Sequence, residues 1–146
     1  MKKRKGFTVI ESGVVILLIG VISFALSPIV KMVRERAQEL RCVRNLQKIS
    51  TALRVYALEN EEAFPRDLSF IFTKGYVERE KVFNCPFNSH KGNAKEPDYV
   101  YINKNDFKQS KNTPLVYDKK GNHPKGRVNV LYINGDIAEA ARWPSS

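Results

Sequence analysis

The sequence predicts an α+β chain: a long N-terminal helix, its first half membrane-embedded, packed on a small antiparallel sheet of three or four strands. Three observations lead there. An unbroken apolar run begins at Phe7. It passes into an amphipathic stretch with helical spacing that continues to about Glu59. Beyond Pro97, short strand-like runs are separated by turn residues, and the last two flank Asn134-Gly135.

The apolar run, Phe7-Thr-Val-Ile-Glu-Ser-Gly-Val-Val-Ile-Leu-Leu-Ile-Gly-Val-Ile-Ser-Phe-Ala-Leu26, is long enough for a bilayer. About 20 residues at a rise of about 1.5 Å cross a hydrocarbon core of about 30 Å. Lys2, Lys3, Arg4 and Lys5 precede it and hold the N-terminus in the cytoplasm, so the C-terminal bulk faces outward. A cleaved secretory signal fits poorly: no Ala-x-Ala-like site follows, and the run exceeds the usual apolar region of about 7–15 residues. A plain signal anchor accounts for every residue except Glu11. A carboxylate costs about 2.5–3.5 kcal/mol at the centre of a membrane helix and less near its end, and such a group normally has a partner.

The stem follows. Val30, Val33, Ala37, Leu40, Val43, Leu46, Ile49, Leu53, Tyr56 and Ala57 recur at steps of three and four, with Arg34, Glu35, Arg36, Glu39, Arg41, Arg44 and Lys48 on the other faces. One helix is expected from about Phe7 to about Glu59. Pro28 removes a hydrogen bond and either kinks this helix or marks the end of the anchor; both readings put it near the membrane boundary. Asn60-Glu-Glu-Ala-Phe-Pro65 stops the helix, because the residue before a proline prefers an extended backbone.

In the remainder, Asp67–Gly75 reads as a short helix with a glycine stop, and Asn84-Cys85-Pro86 as a turn. Strands are expected at 98–103, 114–118, 128–133 and 136–140. Asn134-Gly135 between the last two is a strong short-range hairpin signal. Tyr56, Phe64, Phe70, Phe72, Tyr76, Phe83, Tyr99 and Tyr101 suit the core of a small head better than a base-stacking surface.

The 146 residues fit one modest domain plus an anchor. Four of the 25 Lys and Arg lie in residues 2–5; without them 21 basic residues face 15 acidic ones, a balance of +6. That charge permits nonspecific contact with nucleic acid or anionic lipid, but no basic cluster interleaved with aromatics marks a dedicated reader. No nucleophile–base pairing, zinc-protease motif or phosphate loop is present, so no catalytic residue is assigned and no enzyme is expected. Cys42 and Cys85 are too few for a disulfide framework or for a zinc site by themselves; an extracytoplasmic head permits one disulfide between them. His123, in a Gly/Lys-rich loop, is expected to face solvent. No metal ligands are assigned and no cofactor is expected. Asp118, Asn122 and Asp136 are oxygen donors suited to calcium, yet fewer than the six to eight that it takes, and Asn122 and Asp136 are also ordinary turn residues.

Gly6-Phe7-Thr-Val-Ile-Glu11, behind its basic leader, resembles the processing site of type IV pilins and type II secretion pseudopilins. The resemblance implies cleavage between Gly6 and Phe7 by a prepilin peptidase, N-methylation of Phe7, and assembly through the N-terminal helix. Glu11 of one subunit would neutralise the new Phe7 amine of its neighbour, and Pro28 would lie where such helices can melt in a filament. The domains implied are a leader (1–6), a transmembrane and assembly helix (7–29), and a periplasmic or extracellular head (30–146). The N-terminus is then cytoplasmic in a single pass of the inner membrane. Partners implied are the peptidase, further copies of the chain, other pseudopilins and an inner-membrane assembly platform. Arg41-Cys-Val-Arg-Asn-Leu-Gln-Lys-Ile-Ser-Thr-Ala-Leu-Arg-Val-Tyr56, Pro65 and Cys85-Pro86 also resemble a widespread pseudopilin subgroup. Its members end in a histidine, nine residues and Asp-Gly. Here one extra residue follows His123, and Asn134 stands in place of the aspartate. The function implied is structural, in a type II secretion pseudopilus or related filament. The alternative, motivated by the charge, is a DNA-binding minor pilin for DNA uptake.

Overall fold

A computed structural model describes residues 9–88, 91–102, 112–142 and 144. Gly6 and Phe7, with the other residues of 1–8, lie outside the described residues, as does Asn103 at the end of the first expected strand. The helix α1 spans Val9–Glu59, with Pro28 inside it. Next come α2 (Ser69–Thr73), a 3-10 turn (Glu80–Phe83) and four strands: β1 (Tyr99–Tyr101), β2 (Pro114–Asp118), β3 (Val128–Tyr132) and β4 (Ile137–Ala140). A second 3-10 turn, Pro124–Gly126, lies between β2 and β3.

The chain divides into two compact units after Ala37. In the first, α1 carries an apolar segment of mean hydropathy 2.6, long enough to cross a membrane and with none of its residues buried inside the protein. Val9, Ile10, Ile16, Leu17, Ile19 and Phe24 are all exposed, Phe24 to 85%. The first buried residue of α1 is Cys42.

In the second unit, α1 presents Cys42, Leu46, Ile49, Leu53 and Ala57 to the core. These lie at steps of four, three, four and four, one face of a 3.6-residue period. The stripe runs through Cys42 rather than Leu40, which is exposed, and Val43, which is half-buried. Apolar residues occupy more of the stem than one face, and the sheet covers only part of them. The opposing layer supplies Phe64, Leu68, Ile71, Phe83, Tyr99, Leu115, Val116, Leu131 and Ile133.

The sheet is a meander of order β1-β2-β3-β4 with every pair antiparallel. Its four strands match the expected segments to within a residue or two at each end. The hairpin at Asn134-Gly135 forms as expected: Gly135 takes φ +87°, a backbone conformation costly for a residue with a Cβ, and its N–H donates to Tyr132 O at 2.8 Å. Leu115–Asp118 and Val128–Leu131 are buried at every residue. Tyr117, Val128 and Val130 form a second small cluster with Val100, Ile102, Tyr132 and Ala140. Asp118 and Asn129 are the polar members of these runs, and both donor groups of Asn129 bond to the Asp118 carboxylate. Arg127 ties the layers at one end, pairing with Glu39 of α1 and with Glu139 of β4.

Candidate functional site

Two segments position the site. Cys42 begins the buried stripe of α1. Asp118 ends β2, where it lies opposite Tyr99 of β1, so the two side chains share a sheet face. The remaining members come from loops. Cys85 follows the first 3-10 turn, and its N–H donates to Asp98 Oδ2 at 2.8 Å. Asp98 is a buried carboxylate that also accepts from Asn88 Nδ2 (2.7 Å) and Gly92 N (3.2 Å), so it gathers the whole loop around itself. Gly92 is required there: a Cβ would lie 2.6 Å from Phe83 O and 2.7 Å from the Asp98 carboxyl carbon. His123 precedes the second 3-10 turn, and the neighbouring Asn122 anchors it by donating to Asp98 O at 2.7 Å.

These segments bring Cys42 Sγ, Cys85 Sγ, an Asp118 carboxylate oxygen and a His123 ring nitrogen within 4.8 Å of one another, all four residues buried. Cys42 Sγ is 3.0 Å from Asp118 Oδ1. His123 Nε2 is 3.1 Å from Asp118 Oδ2, 3.4 Å from Cys42 Sγ and 3.7 Å from Cys85 Sγ. Both cysteines are free thiols, so the pair proposed for a disulfide is brought together without being bonded. His123 does not face solvent as its loop composition suggests: it is 7% exposed, with its ring packed against Phe87 at 4.7 Å and tilted by 51°. A carboxylate waiting at the end of β2 offsets the cost of its burial.

The electrostatics follow from this crowding. The Cys85 thiol is lowered to about 6, chiefly by a hydrogen bond from Cys42; burial opposes the shift, and His123 and the Phe87 backbone N–H reinforce it. Cys42 moves the other way, raised by its hydrogen bond to Cys85, by burial and by the Asp118 charge. Burial lowers His123, but Asp118 and then Cys85 outweigh it and carry the imidazole up to about 9. Burial likewise raises Asp118, yet hydrogen bonds from His123 and Cys42 leave its carboxyl below the usual range.

A cysteine nucleophile activated by a His–Asp pair needs the thiol and the carboxylate on opposite ring nitrogens. Here both thiols and the carboxylate converge on Nε2 alone. The site is organised around a point, not along a proton relay.

Among the other sequence-assigned residues, Glu11 is exposed on α1 and Pro28 lies within that helix. Of the three calcium-type donors, only Asp118 belongs to the cluster. Asn122 is buried and donates to Asp98 O, whereas Asp136 is exposed and its N–H donates to Asn134 Oδ1 in the hairpin turn. Sequence reasoning missed Asp118 and His123 as companions of the cysteines. One signal was available: Cys42 stands four residues before Leu46 on the core face of the stem, and Asp118 closes the apolar strand Pro114-Leu-Val-Tyr.

A second feature was also hidden in the sequence. Arg41, Arg44 and Lys48 of α1 line one wall of a groove whose other wall carries Arg79, Lys81 and Lys91. Glu80 is the one acidic side chain lining it, and it accepts from Ala94 N at 3.2 Å.

No protein-family model matches the chain, and no curated protein or solved structure matches it either.

Proposed function

We propose that this chain is a structural subunit of a type II secretion pseudopilus or related type IV filament, processed by a prepilin peptidase and assembled through its N-terminal helix. The observation that carries this reading is the apolar stem, exposed throughout from Val9 to Val33. Covering a large apolar side chain is worth about 1.5–3 kcal/mol, so a stem of this length strongly favours hydrocarbon or neighbouring stems over water. A filament provides such cover: copies pack stem against stem, and the register is set by the Glu11 carboxylate meeting the Phe7 amine of the next copy. Two charges, each costly in a low dielectric, then become a pair. Cleavage after Gly6 makes that amine and removes four cations that hold the stem in the membrane. The peptidase, other pseudopilins and an inner-membrane platform are the partners, with the N-terminus cytoplasmic and the head outside. In this reading the protein performs no chemistry.

The test is the N-terminal sequence and intact mass of the membrane-extracted protein, expressed with and without the peptidase. A chain beginning at N-methylated Phe7 is expected with it, and Gly6→Asp should abolish the change. Recovery of a full-length, uncut, single bilayer-spanning species beside an active peptidase would falsify the reading.

The basic groove favours a second reading, a DNA-binding minor pilin. Among the described residues it is lined by six cations and no aromatic side chain, a surface suited to phosphate contact rather than to stacking on bases. DNA binding by the full chain should then weaken steeply with salt, and Arg44→Glu with Lys81→Glu should remove it. A salt-independent or absent gel shift removes this alternative and leaves the first reading untouched.

A further inference from the structure

We propose that Cys42, Cys85, Asp118 and His123 bind one zinc ion in a closed, tetrahedral, structural site that clamps the core-facing part of α1 to the sheet and to two loops of the head.

Geometry is the first support. Ligands held at about 2.0–2.3 Å from a central tetrahedral ion stand about 3.3–3.8 Å from each other. Four of the separations here run from 3.0 Å to 3.7 Å, the two to Asp118 through different carboxylate oxygens. All four donor atoms lie within 4.8 Å of one another, close enough for small side-chain shifts to set them round one ion.

Convergence is the second. Cys42 Sγ, Cys85 Sγ and Asp118 Oδ2 all surround His123 Nε2, and Cys42 Sγ lies against Asp118 Oδ1 as well. Four metal-type donors thus meet at one buried point, where a cation can bond to all of them at once. On binding, both thiols give up their protons to solvent, the carboxylate is already ionised, and His123 ligates as neutral imidazole through Nε2.

The donor set selects the metal. Two thiolates and an imidazole suit zinc, and one carboxylate is compatible with it. Calcium and magnesium require shells of oxygen. With four protein donors, every one of them buried, the site is of the closed, structural kind rather than the open, catalytic kind.

Outer contacts orient each ligand, as metal sites require. Asn129 holds Asp118 Oδ2 with its backbone N–H at 2.8 Å and its side-chain amide at 2.9 Å, turning Oδ1 toward Cys42. The Phe87 N–H supports the Cys85 thiolate. Tyr99 OH lies 3.5 Å from Cys42 Sγ and receives a hydrogen bond from Asn45 Nδ2. A head this small gains from such a cross-link, because its core alone buries limited apolar area.

The test uses the full chain in detergent, stripped with a chelator under reducing conditions and then titrated with Zn(II) or Co(II) alone. One zinc per chain is expected by elemental analysis after desalting. Co(II) should show thiolate-to-metal charge transfer and the intense visible bands of tetrahedral coordination. Cys85→Ser should lower zinc retention at least tenfold. Should that variant fold poorly, Asp118→Asn, which preserves shape, still reads the site through a shifted Co(II) spectrum and faster loss of metal to chelator. Two outcomes overturn the proposal: reduced, folded chain that takes up no metal, or native chain isolated metal-free with Cys42 and Cys85 joined and two hydrogens lighter. Peptidase processing is measured separately, so failure here leaves the filament reading standing.

Discussion

One helix, α1, meets two different environments. Over Val9–Val33 its apolar side chains are exposed, whereas from Cys42 to Ala57 a single stripe is sealed against the sheet. The helical period is the same in both stretches, but the composition around it differs. The first is apolar on every side and lacks a polar face to show to water. The second alternates apolar and charged sides, so that burying one leaves the other solvated. The comparison teaches that an exposed apolar surface on a helix is not a defect of packing when the opposite face is apolar too. It marks a segment long and apolar enough to cross a membrane.

Substitutions can break or sharpen that contrast. Leu46→Ala, at a fully buried position, should cost the head about 2–5 kcal/mol by leaving a cavity, read as a lower urea midpoint for the detergent-solubilised chain. The matched change Leu18→Ala should move that midpoint by less than about 0.5 kcal/mol, since its side chain is exposed. Leu18→Lys reverses the sensitivity. It should leave the head's midpoint alone while opposing membrane insertion by about 2.5–3.5 kcal/mol, measured by carbonate extraction. Asp98→Ala leaves the N–H groups of Cys85 and Gly92 without their acceptor, at about 1–3 kcal/mol, and should speed hydrogen exchange at those two amides before the rest of the head. The smallest effect is expected from Arg127→Ala. Its pairs with Glu39 and Glu139 are partly solvated, so the loss should fall within about 0–1 kcal/mol and shrink further in salt.

The elements most open to prediction were those made by neighbours in sequence. The helix was legible because steps of three and four persist from Val30 to Ala57, and the last hairpin because Asn134-Gly135 supplies the positive φ that its turn needs. Elsewhere local signals misled. His123 sits among Gly, Asn, Pro and Lys, a composition that belongs to exposed loops. It is buried because Asp118 and Phe87, from other segments, wait for its ring. Leu40 looks like a core residue by spacing and is exposed, since the sheet reaches only the neighbouring face of the helix. The basic groove was equally hidden: Arg41, Arg44 and Lys48 meet Arg79, Lys81 and Lys91 only across a fold.

From its own order of residues the chain determined an α+β plan, the extent of α1, the four strands and the segment fit for hydrocarbon, because periodicity and turn chemistry act over a few residues. Only the tertiary structure decided that two cysteines, an aspartate and a histidine converge on one point. Their separation along the chain carries no ligand spacing, and no local rule draws Cys42 to Asp118. The packing of helix on sheet does, together with the Asp98 hydrogen bonds that fold the Cys85 loop back over both.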